Sequence, residues 1–191
     1  MKFVVRLSII VALLTFMVGA YEVGHVDAQT TPVSTPTPQP KAPVVPIPSA
    51  PTRLSIPSIN LQAPIVPVGT NEKGEMDVPD GDTNDVGWYK RGTTPGQEGS
   101  AVLDAHVFAA LSNLRYAKAG DDVYVTNEAG QKLHFRVTDS MVYKLSDVPR
   151  ELLFHQNGGK YLHIITCAGQ YSSAMGTYDY RLIVYATLVE Q

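Results

Sequence analysis

A cluster of prolines near the N-terminus constrains most strongly what this chain can fold into. Eight of its 14 prolines fall between Pro32 and Pro51, in a chain of 191 residues. Proline fixes φ and lacks a backbone N–H, so residues 29–51 can form neither a helix nor the interior of a sheet. Such a segment is extended and polyproline-like, and it rises about 3.1 Å per residue. We interpret residues 29–51 as a Pro/Thr-rich disordered linker between two different parts of the chain.

The residues before this linker combine a basic start with an apolar run. Lys2 and Arg6 flank the beginning of that run, which continues to Ala20. One interpretation is a cleaved signal peptide within residues 1–28. The other, which we favour, is a single-pass anchor over residues 3–21 whose N-terminal end stays in the cytoplasm. Both interpretations place the rest of the chain outside the cytoplasm.

Residues 52–191 have the length and the pattern of one β-rich globular domain. Short runs of alternating apolar and polar residues recur between turn signals, which is typical of strands. The strongest of these runs are the pair Tyr161–Thr166 and Arg181–Leu188 and the hairpin 122–137. Weaker runs are Leu54–Ile56, Ala101–Leu103, Met141–Tyr143 and the proline-containing run 61–68, which suits an edge strand. Helical patterns are confined to residues 108–119 and 147–154. The sequence therefore predicts an all-β barrel or sandwich of seven or eight strands with one or two short helices.

The charge balance and the cysteine content exclude several classes of function. Lys and Arg number 15 and Asp and Glu number 18, which gives a net charge of −3. A nucleic-acid partner is not expected, because the basic excess or basic patch of such binders is missing. The single cysteine, Cys167, excludes an intramolecular disulfide and a multi-cysteine zinc site.

Cys167 is the residue best placed for chemistry. A lone cysteine in an exported domain is a buried core residue, an intermolecular pairing site or a nucleophile. We favour the nucleophile, because Cys167 lies where a strong apolar strand meets Ala168-Gly169 and a loop. A thiolate needs a base or a cation nearby. His106, which also follows a strand, is the best partner by elimination, and His163 is too far along the same strand for a hydrogen bond.

Arg181 is the second candidate partner of the cysteine. It begins the last strong strand, and an antiparallel pairing of the two strong strands would bring it beside Cys167. Arginine keeps its charge and can donate hydrogen bonds to a developing oxyanion. A solvated charge at a strand end is the alternative interpretation of Arg181.

The order His, Cys, Arg on an exported β-rich domain resembles a sortase. The strand that ends in Thr166-Cys167 resembles the sortase strand that ends in Thr-Cys, and further segments resemble class E and class F sortases. These segments are Arg53–Pro57, Val86–Tyr89, Pro95–Val102, Ala119–Asp121, Ala168-Gly169 and Leu182–Ala186. Together they run through the whole globular part, and their joint order is more specific than any one of them.

The resemblance implies an eight-stranded sortase-type β-barrel over residues 52–191 and a cysteine transpeptidase. Such enzymes cleave a Leu-Pro-x-Thr-Gly-like sorting signal of an exported protein, hold the acyl group as a thioester and pass it to an amine of a peptidoglycan precursor. It implies His106 as acid/base, Cys167 as nucleophile and Arg181 as substrate and oxyanion clamp. No metal or organic cofactor is implied. We expect a monomer at the bacterial cell surface, held in the membrane by its N-terminal segment or secreted if residues 1–28 are removed.

The resemblance also implies residues that bind the substrate. Thr166, Ala168 and Tyr171 are the predicted contacts to the sorting signal, and Tyr178 and Met175 lie in the same loop. A catalytically weak or inactive sortase-fold module that binds peptide or cell wall is the alternative function.

The sequence also departs from the pattern of such enzymes at three positions. Ala105 stands where a glycine usually precedes the histidine, and His163 replaces a common threonine. Phe108 comes only two residues after His106, whereas relatives have several more residues before this phenylalanine. The shortened loop leaves substrate preference open.

Overall fold

Alternating apolar residues build eight strands in the computed structural model, which describes residues 48–190. The strands are β1 (Pro51–Ile56), β2 (Leu61–Val68), β3 (Val86–Tyr89), β4 (Gly99–Asp104), β5 (Asp122–Asn127), β6 (Lys132–Lys144), β7 (Lys160–Ser172) and β8 (Thr177–Leu188). They close into a barrel in the order β1-β2-β3-β4-β7-β8-β6-β5. The pairs β2–β3 and β4–β7 are parallel, and the others are antiparallel. Closure through the β1–β5 pair gives every strand two neighbours, which limits the exposed sheet edges that are the usual danger of an all-β fold.

Each strand of the barrel turns alternate side chains inwards. On β7, Leu162 and Ile164 join the main core, and Ile165 joins a smaller cluster on the other face. Phe135 is the largest fully buried side chain of the main core. Burying each side chain of this size contributes about 1.5–3 kcal/mol relative to leaving it in water. The smaller cluster lies under α1 (Arg150–Leu153), the single turn of α-helix among the described residues.

These observations confirm the predicted all-β, eight-stranded barrel. The hairpin 122–137 and the antiparallel pairing of the two strong strands are present as β5–β6 and β7–β8. The run 61–68 is not an edge strand, because β2 pairs with β1 through residues 61–64 and with β3 through residues 65–68. Each half of β2 therefore has a partner on one side, which leaves room for its prolines.

Two other expectations about single elements need correction. The run Met141–Tyr143 is the continuation of β6 and not a strand of its own. Residues 108–119 form turns and the short 3₁₀ helix Leu114–Tyr116 in place of a longer helix. Leu111 and Leu114 are both fully buried there. Their spacing of three reflects packing of a turn against the core, so tertiary contacts override the helical pattern.

The predictions for the N-terminus lie outside the described residues. This holds for the signal peptide or anchor of residues 1–28 and for most of the linker 29–51. The described part of the chain begins with three residues that belong to no strand, and β1 starts at Pro51. Within residues 48–190, no helix has the length and apolarity needed to cross a bilayer.

Candidate active site

The barrel brings Cys167 between two strands that carry the other candidate residues. Cys167 lies directly opposite Arg181 in the antiparallel β7–β8 pair. On its other side, β4 runs parallel to β7 with Asp104 opposite Ile165. His106 follows Asp104 by two residues, and the Ala105 carbonyl oxygen before it accepts a hydrogen bond from Thr166, so the turn of His106 lies against the strand of Cys167. The structure thus collects all three predicted residues at one end of three neighbouring strands.

The thiol of Cys167 is a free, half-buried group on the outer face of the barrel. Burial raises its pKa, the Arg181 guanidinium opposes this rise, and the carboxyl group of Asp104 adds to it. At neutral pH the neutral thiol is therefore the main form. Any reaction at this sulfur depends on groups that remove the proton or stabilise the thiolate.

β7 does not end at the cysteine but continues to Ser172 through an irregularity between Ala168 and Tyr171. Gly169 lies in this bulge with φ +79°, and a Cβ there would approach Cδ2 of Tyr180 to 2.6 Å. Only glycine adopts this conformation without strain. The Gly that follows Cys167 therefore has a structural reason, since the bulge redirects the strand immediately beyond the thiol.

Arg181 is held by the hairpin that joins β7 to β8. Its Nη1 donates to the carbonyl oxygens of Tyr178 at 3.0 Å and Tyr180 at 2.9 Å, and Nη2 donates to Oγ1 of Thr177 at 3.0 Å. These bonds use three of the five N–H groups of the guanidinium. Among residues 48–190 nothing accepts from the other two. A fixed cation with free donors beside a thiol is suited to an oxyanion or to a peptide carbonyl.

His106 lies in the turn that follows β4 and is partly exposed. Its ring stacks on Phe108 with centroids 4.9 Å apart and an interplanar angle of 13°. The backbone just before it is tied to β7, because Oγ1 of Thr166 donates to the carbonyl oxygen of Ala105 at 2.7 Å. This bond links the strand of the cysteine to the turn of the histidine.

Asp104 is a member of this cluster that the sequence analysis missed. It shares the outer face of the sheet with Cys167, and burial raises its pKa to about 7, against the effect of Arg181 and of a hydrogen bond from the Ala105 N–H. Its position in the sequence could have indicated this role. Asp104 ends an apolar run and precedes His106 by two residues, and residues two apart in an extended chain point to the same face.

The residues predicted to bind the sorting signal occupy different environments. Thr166 is only 1% exposed and uses its hydroxyl for the bond to Ala105. Ala168 packs against the main core. Tyr171 is 61% exposed and meets Tyr178 edge to face at 5.6 Å, beyond the bulge. Of the three, Tyr171 has the exposure that a peptide contact needs, and its substrate role stays a prediction.

The remaining described histidines have partners of their own. Nδ1 of His163 lies 3.2 Å from the carbonyl oxygen of Leu153, and burial lowers the pKa of this histidine. This geometry agrees with the structural role inferred for His163. His134 pairs with Asp122 at 2.8 Å. No group of three His, Cys, Asp or Glu side chains in the described part of the chain could hold a metal ion.

Comparison with known proteins adds three findings. A family model described as Sortase domain matches residues 54–189. Sortase A from Corynebacterium diphtheriae is 23% identical, with a TM-score of 0.56 over 74% of this chain and 61% of its own. Sortase C-1 from Actinomyces oris is 28% identical, with a TM-score of 0.56 over 76% of this chain and 74% of its own.

A third solved structure, a Clostridium perfringens Sortase D5 transpeptidase, is 19% identical, with a TM-score of 0.56 over 73% of this chain and 79% of its own. None of the curated proteins matches this chain. The matched region spans less than two thirds of the length of the Corynebacterium diphtheriae protein. It spans more than two thirds of the length of the other two proteins. The resemblance to class E or class F stays a prediction.

Proposed function

This chain belongs to the sortase family, whose members are cysteine transpeptidases, and we propose that it cleaves exported proteins at a Leu-Pro-x-Thr-Gly-like sorting signal. One observation carries the proposal: the strand register sets Cys167 opposite Arg181, and the bond from Thr166 to Ala105 ties the turn of His106 to the strand of Cys167. A thiol and a guanidinium on two paired strands, with an imidazole in the turn after a third, are the groups that acyl transfer through a thioester requires.

In the first half of the proposed reaction, the thiolate of Cys167 attacks the carbonyl carbon of the threonine in the signal. The N–H groups of Arg181 that have no described acceptor stabilise the oxyanion. The imidazolium of His106 donates its proton to the departing amine as the C–N bond breaks. A thioester on Cys167 and a released C-terminal fragment result.

In the second half, an acceptor amine attacks the thioester. His106, now neutral, removes the proton from that amine, and the thiolate of Cys167 leaves as the new amide bond forms. Burial raises the pKa of the half-buried Cys167 thiol, so the thiolate that attacks depends on the Arg181 guanidinium, which opposes this rise. We propose an amine of a peptidoglycan precursor as the acceptor, which would anchor the substrate protein to the cell wall.

The location belongs to the same proposal. The basic and apolar N-terminal residues would hold the enzyme in the membrane, and the linker would carry the barrel towards the wall. This arrangement supports an exported peptide substrate and a wall-derived amine, because the catalytic residues and both reactants would share the extracytoplasmic space.

The test combines a peptide library with intact-protein mass spectrometry. The full chain, solubilised in a mild detergent, is incubated with Leu-Pro-x-Thr-Gly peptides. We expect a mass increase equal to the Leu-Pro-x-Thr acyl group, and no increase in Cys167→Ala. Hydroxylamine should release this adduct, because it cleaves thioesters.

The alternative, a weak or inactive peptide-binding module, gives a different result. A folded chain that binds the peptides in a fluorescence-anisotropy titration, yet forms no adduct, would favour this module over the enzyme. An adduct that persists in Cys167→Ala would refute the nucleophile assignment.

A further inference from the structure

Phe108 stands out as a large apolar side chain that is 64% exposed beside the candidate active site. Its ring contacts the His106 imidazole: the two rings are almost parallel, with centroids 4.9 Å apart. This geometry is within the range of favourable aromatic stacking. The chain spacing of two residues allows the contact, since the turn after β4 folds both side chains to the same side.

A second segment closes over the same two rings. Gly81 belongs to the connection between β2 and β3, and its backbone passes along the edges of both side chains. A Cβ at this position would lie 3.1 Å from Cε2 of Phe108 and 3.4 Å from Cδ2 of His106. Its φ is not in the left-handed region, so the tight space and not the backbone conformation favours glycine here.

The stack lies where it can orient the His106 ring. Among residues 48–190, no side chain or carbonyl hydrogen-bonds to either ring nitrogen of His106. A catalytic histidine usually has a hydrogen-bonded partner that fixes its ring. Here an aromatic face takes that place and leaves both nitrogens free for the proton transfers. A ring face within about 6 Å also attracts a cation, so the contact persists when the imidazole is protonated.

We propose that Phe108 is a positioning residue for catalysis: its ring, confined by Gly81, holds the imidazole of His106 in the plane from which it exchanges protons with the substrate amine. This inference rests on the proposed function, which assigns the proton transfers to His106. It gives the exposed Phe108 a role in the rate of acyl transfer and none in substrate affinity.

The test separates the rate from the affinity in the full chain, solubilised in detergent. Phe108→Leu removes the flat face and keeps an apolar side chain, and we expect kcat to fall by about 10- to 100-fold, with KM unchanged. Phe108→Tyr restores the ring and should recover most of the rate. Tyr116→Leu is the matched control, because Tyr116 is 61% exposed and its ring contacts Arg115 in place of His106.

A spectroscopic readout tests the stack without any turnover. In a chain with ¹³C-labelled histidine, the ring current of Phe108 should shift the His106 ring protons upfield. The signals should move downfield in Phe108→Leu and stay in place in Phe108→Tyr. Gly81→Ala should lower kcat in the wild-type background and add little in Phe108→Leu, because both changes act through one contact.

Two results would overturn the inference while leaving the proposed function intact. The first is a kcat of Phe108→Leu equal to that of the wild type. The second is a higher KM of Phe108→Leu at unchanged kcat, which would make Phe108 a substrate contact. If the wild-type chain forms no acyl adduct, the proposed function fails. In that case unshifted His106 signals in Phe108→Leu refute the stack as well.

Discussion

Replacing Asp104 with asparagine tests how the barrel sets the charges around Cys167. Asparagine has the same shape and keeps an acceptor for the Ala105 N–H, but it carries no charge. In the folded chain, burial raises the pKa of Asp104 from 3.8 to about 7, although the Arg181 guanidinium opposes the rise. The folded state therefore disfavours the carboxylate, and the substitution removes that penalty.

The sign and the size of the effect follow from proton linkage. Well below pH 3.8 both states of the wild-type chain hold the Asp104 proton, so the group contributes nothing. Between pH 3.8 and about 7 the unfolded state has lost the proton and the folded state keeps it, so the free energy of unfolding falls as the pH rises. A shift of about three pKa units corresponds to about 4 kcal/mol, reached above pH 7. This is an upper value, because the side chain keeps partial access to water.

The assay is urea unfolding, monitored by the fluorescence of Trp88, the single tryptophan. Trp88 is buried, and its Nε1 donates a hydrogen bond to the Thr93 carbonyl oxygen at 3.1 Å. Asp104→Asn should match the wild type near pH 4 and become progressively more stable towards pH 8. Glu128→Gln, the same chemical change on an exposed turn, should show almost no trend. A stability difference that does not change with pH, or that favours the wild type at pH 8, would refute the reasoning.

The same variant reports on the nucleophile. The charge of Asp104 helps to raise the pKa of Cys167, so its removal should lower the thiol pKa. The midpoint of the pH profile for iodoacetamide alkylation should therefore move to lower pH in Asp104→Asn. An unmoved midpoint would show that the carboxyl group and the thiol do not interact.

Three further substitutions test single contacts of the site. Arg181→Lys keeps the charge but loses the planar fork that donates to two carbonyls of the hairpin, so acyl-adduct formation should drop at least about 100-fold; near-normal formation would contradict this. Thr166→Val removes a 2.7 Å hydrogen bond and leaves a carbonyl of the turn after β4 unpaired, so urea unfolding should show a loss of about 1–3 kcal/mol, and no loss would count against the bond. Gly169→Ala should destabilise the fold by more than Gly130→Ala, since both glycines have positive φ but only a Cβ at Gly169 meets a neighbour, Tyr180; equal losses would refute the steric argument.

The alternation of apolar residues was enough to predict most strands and the position of Arg181 beside Cys167. Cys167 and Arg181 are joined by a short hairpin, so their contact follows from two strong neighbouring strands and the turn between them. The motifs around Cys167 also led to the family, because residue types in a fixed order do not depend on knowing the contacts. The pairing of β5 with β6 is local in the same way.

Contacts between distant strands could not be obtained in this way. His106 was chosen by elimination, and its place beside Cys167 depends on the parallel β4–β7 pair, whose members are separated by β5 and β6. The same pairing makes Asp104 part of the site. A periodic pattern shows which face of a strand is buried, but not which strand lies next to it.

The sequence by itself therefore determined the all-β character, the local hairpins and the choice of candidate reactive side chains, because strand periodicity and turn residues act over a few positions. Only the tertiary structure decided the surroundings of those side chains. Closure of the barrel raises the pKa of Asp104 by burying it, and it brings Gly81 against the stacked rings of Phe108 and His106. These effects come from packing between segments far apart in the chain, and local periodicity carries no information about them.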